Sequence, residues 1–346
     1  MESKVLVGAG FWDRANQGSR TAGLFSLAST GEWRQISDGL PDAVEVRAIA
    51  MRAETIYAGT QDGPYLSDDG GETWRSLGLP GVDRVVWSVL PCGSGTLYVG
   101  TQGTSIFRSD DDGDSWRQLP VPLPDGAVEM GFPMRVIRLV VDPSDAETMY
   151  AGLEVGGVVR SLDGGETWTD CGGALLELAK EERFKSRIGS DTDSEGMMDI
   201  HALAISPSLP DTVFLANRMG LFRSPDRGES WLPMDIGRFS ELTYARDLKV
   251  FPHDPDTFLA AFSDSAGGVA GSLYRSADLG ETWSRLDHDV SIDSTLMTLA
   301  ASAETPDRVW CAARRGQVFG TEDGGANWHA LPLPAGVEGI YAIACV

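Results

Sequence analysis

The sequence has few basic residues and no long apolar run. Its 346 residues include 28 Lys and Arg against 51 Asp and Glu, which gives a formal net charge of -23 at pH 7. A field of that sign repels phosphate backbones and anionic lipid headgroups, so we expect neither nucleic acid nor a membrane as a partner. No apolar stretch approaches the ~20 residues that a membrane-spanning helix needs.

Cysteine is also scarce, and its spacing indicates neither a disulfide framework nor a metal site. The four cysteines are Cys92, Cys171, Cys311 and Cys345, with no CxxC pair among them. We therefore expect reduced thiols that serve as small core residues. Residues 1–8 resemble a strand rather than the basic and apolar segments of a signal peptide, so the predicted location is cytoplasmic.

What the chain does contain is a recurring octapeptide of Ser or Thr, Asp, Gly and Trp. Six copies keep their spacing, and a seventh, Ser26–Trp33, has lost the Asp and the Gly. The six are Ser67–Trp74, Ser109–Trp116, Ser161–Trp168, Ser224–Trp231, Ser276–Trp283 and Thr321–Trp328. In each, the Asp can accept hydrogen bonds from backbone N–H groups two or three residues on and the Gly supplies a positive φ, so the pattern predicts a tight turn.

Each octapeptide follows three strand-like segments and begins a fourth at its Trp. Examples of the first three are Arg47–Met51, Thr55–Gly59 and Gly220–Ser224. We call the four strands A, B, C and D. Four-stranded antiparallel sheets that recur at intervals of this size are typical of a β-propeller.

Seven repeats predict an all-β, seven-bladed propeller that occupies residues 1–346 as one domain. The first blade is expected to close three plus one, because the chain opens with a B strand, Lys4–Gly8, and ends with an A strand, Tyr341–Val346. The predicted blades span residues 1–40 with 336–346, 44–80, 82–124, 131–173, 199–236, 241–290 and 293–333. Residues 174–198 form a predicted insertion before blade 5, and Ala174–Phe184 within it has helical spacing.

The octapeptide resembles the Asp-box, or bacterial neuraminidase, repeat S-x-D-x-G-x-T-W. That repeat occurs in sialidases, two-domain xyloglucan hydrolases, the sortilin receptor family and photosystem II assembly factors. The resemblance implies a propeller in which the box is a structural turn, so the chemistry stays open. The sialidases look six-bladed and carry a Phe-Arg-Ile-Pro motif that is absent here, and only Tyr341 with Glu45 could stand in for their Tyr and Glu. Sialidase activity is therefore not expected.

In an A-B-C-D meander the boxes lie on one face, the bottom, and the A strands begin on the other, the top. Aligning the A strands places one residue of each blade in a common row: Arg47, Trp87, Ile137, His201, Arg246, Met297 and Tyr341. Two positions earlier, the row is Glu45, Val85, Arg135, Asp199, Tyr244, Thr295 and Gly339. The next position after the first row is mostly small, apart from Arg138 and Asp247.

These rows predict a ligand site in a top-face funnel. Arginine forks suit a carboxylate or phosphate and aromatic walls suit a sugar ring, so the predicted binding residues are Arg47, Trp87, Arg135, Arg138, Tyr244 and Arg246. An alternative is that Arg138 pairs with Asp247, and that Arg246 pairs with Asp199 or Glu45, as internal ion pairs.

His201 is the predicted acid–base residue, oriented by Asp199 and assisted by Tyr341, because an unperturbed imidazole titrates near neutrality. It could equally be a buried polar group without a catalytic role. No metal or cofactor is expected, since no histidine triad, P-loop or dinucleotide fingerprint is present. Residues 174–198 and the first B–C loop, residues 11–18, are candidate lids, or else solvated loops.

Two functions remain open from the sequence. The first is a glycosyl hydrolase-like propeller, a hydrolase or lyase that acts on a small anionic or carbohydrate-like substrate. The second is a non-catalytic binding or assembly scaffold, similar to the photosystem II assembly factors, with a protein partner.

Overall fold

The computed structural model describes residues 4–11, 21–81, 84–93 and 95–345. In chain order its strands are β1 (Val5–Ala9), β2 (Gly23–Leu27), β3 (Trp33–Ile36), β4 (Val46–Arg52), β5 (Thr55–Thr60), β6 (Gly63–Ser67), β7 (Arg75–Ser76), β8 (Val86–Cys92), β9 (Thr96–Thr101), β10 (Ile106–Ser109), β11 (Arg117–Leu119), β12 (Val136–Asp142), β13 (Asp145–Leu153), β14 (Gly157–Ser161), β15 (Thr169–Asp170), β16 (Ile200–Ile205), β17 (Val213–Asn217), β18 (Gly220–Ser224), β19 (Leu232–Pro233), β20 (Tyr244–Phe251), β21 (Asp254–Ser263), β22 (Gly271–Ser276), β23 (Ser284–Arg285), β24 (Leu296–Ala301), β25 (Val309–Ala313), β26 (Val318–Thr321), β27 (His329–Ala330) and β28 (Ile340–Cys345).

Across the described residues these strands form seven four-stranded antiparallel sheets. Blade 1 has the order β28-β1-β2-β3, and blades 2 to 7 each take the next four strands in chain order. The innermost strands contact one another around a closed ring, from β4 through β8, β12, β16, β20, β24 and β28 back to β4. The predicted seven-bladed propeller of antiparallel blades is confirmed.

Burial falls off from the second strand of each blade to the fourth. The B strands are almost wholly buried, as in β17 and β25, because each blade packs between two neighbours and so has no solvated face. The outer strands β7, β23 and β27 are two residues long and exposed. Very short outer strands leave little unpaired backbone for edge-to-edge association.

Closure of the ring depends on pairing between the two ends of the chain. Strand β28 pairs antiparallel with β1, with Val7 opposite Ile343 and Leu6 opposite Ala344. Val7 and Ile343 are buried in a cluster shared with blade 7. The expected three-plus-one closure of blade 1 is therefore present.

The intact boxes satisfy their own hydrogen bonds. In blade 4 the Ser161 hydroxyl donates to Asp163, and the backbone N–H and hydroxyl of Thr167 donate to the two oxygens of Asp163 at 2.8 and 2.6 Å. The Asp163 carboxylate thus accepts hydrogen bonds from a residue four positions later, whereas the sequence suggested donors two or three positions later. Gly165, at φ 93°, donates its N–H to Ser161 Oγ. These bonds leave the box as a closed turn on the bottom face.

The insertion before blade 5 contains the two short α-helices of the described residues, α1 (Gly173–Leu178) and α2 (Glu195–Met198), with a 3₁₀ turn at Glu182–Phe184 between them. The continuous helix expected over 174–184 is interrupted, because the chain turns to pack Phe184 against Phe222, with ring centroids 5.4 Å apart. No helix in the described part of the chain is both long and apolar enough to cross a membrane.

The segment between the two helices is held by a buried carboxylate. Glu195 accepts hydrogen bonds from the backbone N–H groups of Gly189 and Ser190 at 2.8 and 2.7 Å. Leu175, Met197 and Met198 are buried against blades 4 and 5. The insertion is therefore packed onto the propeller. Of the other candidate lid, residues 12–18 lie outside the described residues.

Candidate functional site

Every blade carries a β-bulge at the same place near the top of its innermost strand. In blade 2, Val46 pairs with Thr60 and Ala48 with Gly59, so Arg47 is left out of the ladder. The residues skipped in this way are Arg47, Trp87, Ile137, His201, Arg246, Met297 and Tyr341. A bulge re-aims its side chain, and here all seven line one axial space. The sequence alignment of the A strands agrees with this register in every blade.

Two connected cavities lie on this axis. The upper one, which we call the funnel, has a volume of about 580 Å³. It is lined by Phe11, Arg47, Trp87, Gln102, Gly131, Phe132, Pro133, Arg135, Ile137, Glu154, Val155, Ile188, Asp199, His201, Arg218, Tyr244, Arg246, Ala266 and Tyr341. The lower one, the axial channel, measures about 90 Å³ and continues along the innermost strands to Lys249 and Ile343.

The funnel brings together eight of the nine predicted site residues. The exception is Arg138, which lines the axial channel instead. Its guanidinium lies 3.1 Å from the buried carboxylate of Asp247, which is the internal ion pair left open as an alternative by the sequence.

An aromatic and cationic cluster forms one wall of the funnel. The guanidinium carbons of Arg47 and Arg135 lie 4.8 and 4.3 Å from the centre of the Trp87 ring, and Tyr341 meets that ring edge-on at 5.5 Å. Cation–π contacts of this kind fix the guanidinium planes without consuming all of their N–H donors. The Trp87 indole N–H has no hydrogen-bond partner among the described residues.

Carboxylates hold the arginines in place. Arg47 lies 2.7 Å from Glu45, Arg135 lies 2.8 Å from Glu154, and Arg218 lies 3.5 Å from Asp199. Glu45 thus pairs with Arg47. Among the described lining residues, four arginines, at 47, 135, 218 and 246, face two carboxylates, at 154 and 199. The funnel is therefore a locally positive site in a strongly acidic protein.

Glu154 is the funnel group whose titration is displaced toward neutrality. The pKa of Glu154 is raised to about 7, because burial and the nearby charge of Asp199 together outweigh the opposing charges of Arg135 and Arg246. A carboxyl with a pKa near 7 can both give and take a proton under physiological conditions. Its side chain is 20% exposed and lines the funnel, although Oε2 is buried.

His201 lies deeper in the funnel, and both of its ring nitrogens contact polar groups of the protein. Its Nδ1 is 2.7 Å from the Ala245 carbonyl oxygen and so carries a proton, while Nε2 lies 3.2 Å from Asp199 and 3.4 Å from the Tyr244 hydroxyl. Burial lowers the pKa of His201, and the Arg246 charge lowers it further against the opposing charge of Asp199. Its side chain is only 2% exposed. This geometry favours a positioning role behind Asp199 over direct contact with a ligand.

Sequence reasoning missed Glu154, Arg218 and Gln102, although a signal for them exists. Each is the first residue after a B strand, namely β13, β17 or β9. The B–C turns lie on the top face, so aligning the ends of the B strands would have given a second row above the first. As for metals, no group of three or more His, Cys, Asp or Glu in the described ranges could hold an ion.

Seven radial blades, with turns below and a bulge-lined funnel above, define a seven-bladed β-propeller. The family model described as the DUF6242 beta propeller domain matches residues 4–319, and the chain belongs to that family.

Among curated proteins, xyloglucanase Xgh74A of Acetivibrio thermocellus is 24% identical over 221 residues, which is 56% of this chain and 25% of the relative. The chain thus matches a quarter of that protein's length. The structure of the GH74 xyloglucanase from Xanthomonas campestris superposes with a TM-score of 0.64 at 18% identity, over 86% of this chain and 46% of that one. The structure titled YCF48 bound to D1 peptide gives 0.54 at 16% identity, over 86% of both chains. At these identities the structural matches show the fold alone.

Proposed function

We propose that this protein is a glycosyl hydrolase-like propeller that binds a small acidic, carbohydrate-like ligand in the funnel and cleaves it as a hydrolase or lyase. The observation that carries the proposal is the pairing of an arginine-rich wall with a carboxyl group, Glu154, whose pKa lies near 7. Arginines recognise a ligand carboxylate, and a group titrating near neutrality is suited to move a proton.

Each funnel group has a distinct role in this proposal. Arg135 and Arg246 bind the ligand carboxylate, and the Trp87 ring contacts the sugar. Glu154 is the general acid or base. Asp199 is kept ionised because Arg218 and Arg246, together with His201, outweigh the burial that would raise its pKa. Two carboxyl groups with pKa values driven apart are the usual division between an acid and a base.

Calorimetric titration with galacturonate and with galactose tests binding. Galactose has the same ring but lacks the carboxylate, so we expect it to bind at least about tenfold more weakly, the value of one charge-assisted hydrogen-bonded pair. Arg135→Met should lose most of the galacturonate affinity. Arg117→Met is the matched control, because Arg117 also pairs with a glutamate, Glu166, but lies on the bottom-side outer strand β11. Equal binding of the two sugars, or equal loss in both variants, contradicts the proposal.

Turnover of an oligogalacturonide tests catalysis. A lyase releases an unsaturated product that absorbs in the ultraviolet, whereas a hydrolase releases only a new reducing end. We expect Glu154→Gln to lower kcat at least about a hundredfold, as removal of a general acid or base does, with KM little changed. Glu166→Gln should behave as the wild type. Binding without turnover of any acidic oligosaccharide would refute the catalytic part alone.

A peptide-binding scaffold is the second candidate, favoured by one observation. The match to the structure titled YCF48 bound to D1 peptide covers 86% of both chains, whereas the xyloglucanase match covers less than half of that enzyme. A scaffold of this kind would tolerate Glu154→Gln without loss of partner binding. Pull-down with wild-type and Glu154→Gln protein therefore separates the two candidates.

A further inference from the structure

The axial channel below the ring of bulges is lined by positive charge. Among its described lining residues are Arg47, Arg138, Arg246 and Lys249, together with His201, and no carboxylate is among them. The carboxylate of Asp247 lies behind the wall, 1% exposed. Because Arg47 is paired with Glu45, the excess of positive charge lies with Arg138 and Lys249, which share the single carboxylate of Asp247.

The single carboxylate of Asp247 cannot neutralise both Arg138 and Lys249. Its two oxygens accept from Arg138 at 3.1 Å, from the Leu248 and Leu299 backbone N–H groups at 3.0 Å each, and from Thr298 Oγ1 at 3.2 Å. Lys249 Nζ stands 4.0 Å from the nearer oxygen, beyond hydrogen-bonding distance. The carboxylate is thus saturated by other donors.

Both cations are open to the channel space. The side chains of Arg138 and Lys249 are each 34% exposed, although they lie inside the propeller. Arg138 Nε has no hydrogen-bond partner among the described residues. Of the other lining residues, Ser88 and Thr298 already donate their hydroxyls to the Val136 carbonyl oxygen and to Asp247, and Ile49, Val89 and Ile343 have no hydrogen-bonding side chain. Burial lowers the pKa of Lys249, as expected for a charge that lacks sufficient compensation.

One carboxylate does not balance two neighbouring cations inside the fold, and a small counter-ion in the channel compensates the excess charge. The channel volume of about 90 Å³ equals roughly three water molecules at ~30 Å³ each. That space admits a phosphate, sulfate or halide ion and excludes a sugar. We propose that the axial channel is a binding site for one small inorganic anion, held between Arg138 and Lys249. The channel adjoins the funnel and shares Arg47, His201 and Arg246 with it, but Arg138 and Lys249 lie outside the funnel lining, so the proposal does not depend on the function proposed for the funnel.

Thermal unfolding with increasing sodium phosphate, sulfate or chloride tests the site, with HEPES, too large for the channel, balancing the ionic strength. A bound anion stabilises the native state in a saturable way, whereas general salt exclusion does not saturate. We expect a saturable rise in Tm with at least one of the three ions. Lys249→Met should weaken the apparent Kd at least about tenfold. Lys180→Met, on the exposed insertion, should leave it unchanged.

Two results would overturn the proposal. One is a response that never saturates or is the same in Lys249→Met. The other is loss of the response in Arg135→Met but not in Lys249→Met, which would place the anion in the funnel. If Lys249→Met fails to fold, crystals of the wild type soaked in bromide decide the question. An anomalous peak between Lys249 Nζ and the Arg138 guanidinium is expected, and peaks only elsewhere would refute the site.

Discussion

Replacing Glu154 with Gln should change how the stability of the protein depends on pH. The ordinary glutamate pKa of 4.5 is raised to about 7 in the folded chain, with burial as the largest cause. Between these two values the unfolded chain has released its proton and the folded chain still holds it. Stability therefore falls as pH rises through this interval, since the native state binds the extra proton.

The size of the effect follows from that interval. One pH unit of differential proton binding corresponds to about 1.4 kcal/mol, so the rise from 4.5 to about 7 makes the wild type about 3 kcal/mol less stable at pH 8 than it would otherwise be. This is an upper value, because the side chain is 20% exposed and water screens part of the charge. Glutamine has the same shape and cannot ionise, so the variant lacks this loss.

Urea unfolding followed by tryptophan fluorescence at pH 4.5, 6, 7 and 8 measures the difference directly. The free energy of unfolding of Glu154→Gln minus that of the wild type should grow by about 2–3 kcal/mol from the lowest to the highest pH. Glu166→Gln removes one carboxylate from the bottom face and controls for the change in net charge. A difference that stays constant with pH would refute the assignment of a near-neutral pKa to Glu154, and with it the acid–base role.

Three further predictions concern the fold. Deleting residues 341–346 removes most of β28 with the buried Ile343. Because several buried side chains at about 1.5–3 kcal/mol each are lost, Tm should fall by at least about 10 °C or the protein should fail to fold. An unchanged Tm would disprove the closure. Gly320→Ala places a Cβ 2.6 Å from the Trp310 ring and should lower the free energy of unfolding, measured by chemical denaturation, by about 1–3 kcal/mol. Gly131→Ala has open space around its Cβ and should lower it little. Equal losses of stability in the two variants would contradict the packing. Hydrogen bonds within the box lower the pKa of Asp69 to about 2, so the stability that the ionised Asp69 contributes above the unfolded value of 3.8 should be lost as pH falls from about 4 to 2. In an acid titration followed by circular dichroism, Asp69→Ala should therefore unfold at a higher pH than the wild type. Coincident transitions of the two proteins would contradict this.

The fold could be predicted from the sequence because its determinants are local and repeated. Each intact box carries its own turn hydrogen bonds, as Ser161, Asp163 and Thr167 show. Six such turns and a degenerate seventh at blade-sized intervals leave few alternatives. The helix expected over 174–184 was less accurate, because its end is set by the burial of Phe184 on blade 5, a tertiary contact that local spacing does not encode.

The site was predictable in position and less so in chemistry. Aligning the A strands located Arg47 and His201 correctly, because the bulge recurs at one place in every blade. The pairing of Arg138 with Asp247, on β12 and β20, was one of the alternatives that the sequence offered. The raised pKa of Glu154 was not foreseen, because it depends on burial and on the charges of residues from other parts of the chain.

A crystal structure of the protein with galacturonate tests the central claim most directly. The account predicts one sugar in the funnel, with its carboxylate within hydrogen-bonding distance of Arg135 or Arg246 and its ring against Trp87. Density for the sugar only on the bottom face or between blades, or an empty funnel at saturating galacturonate, would contradict it.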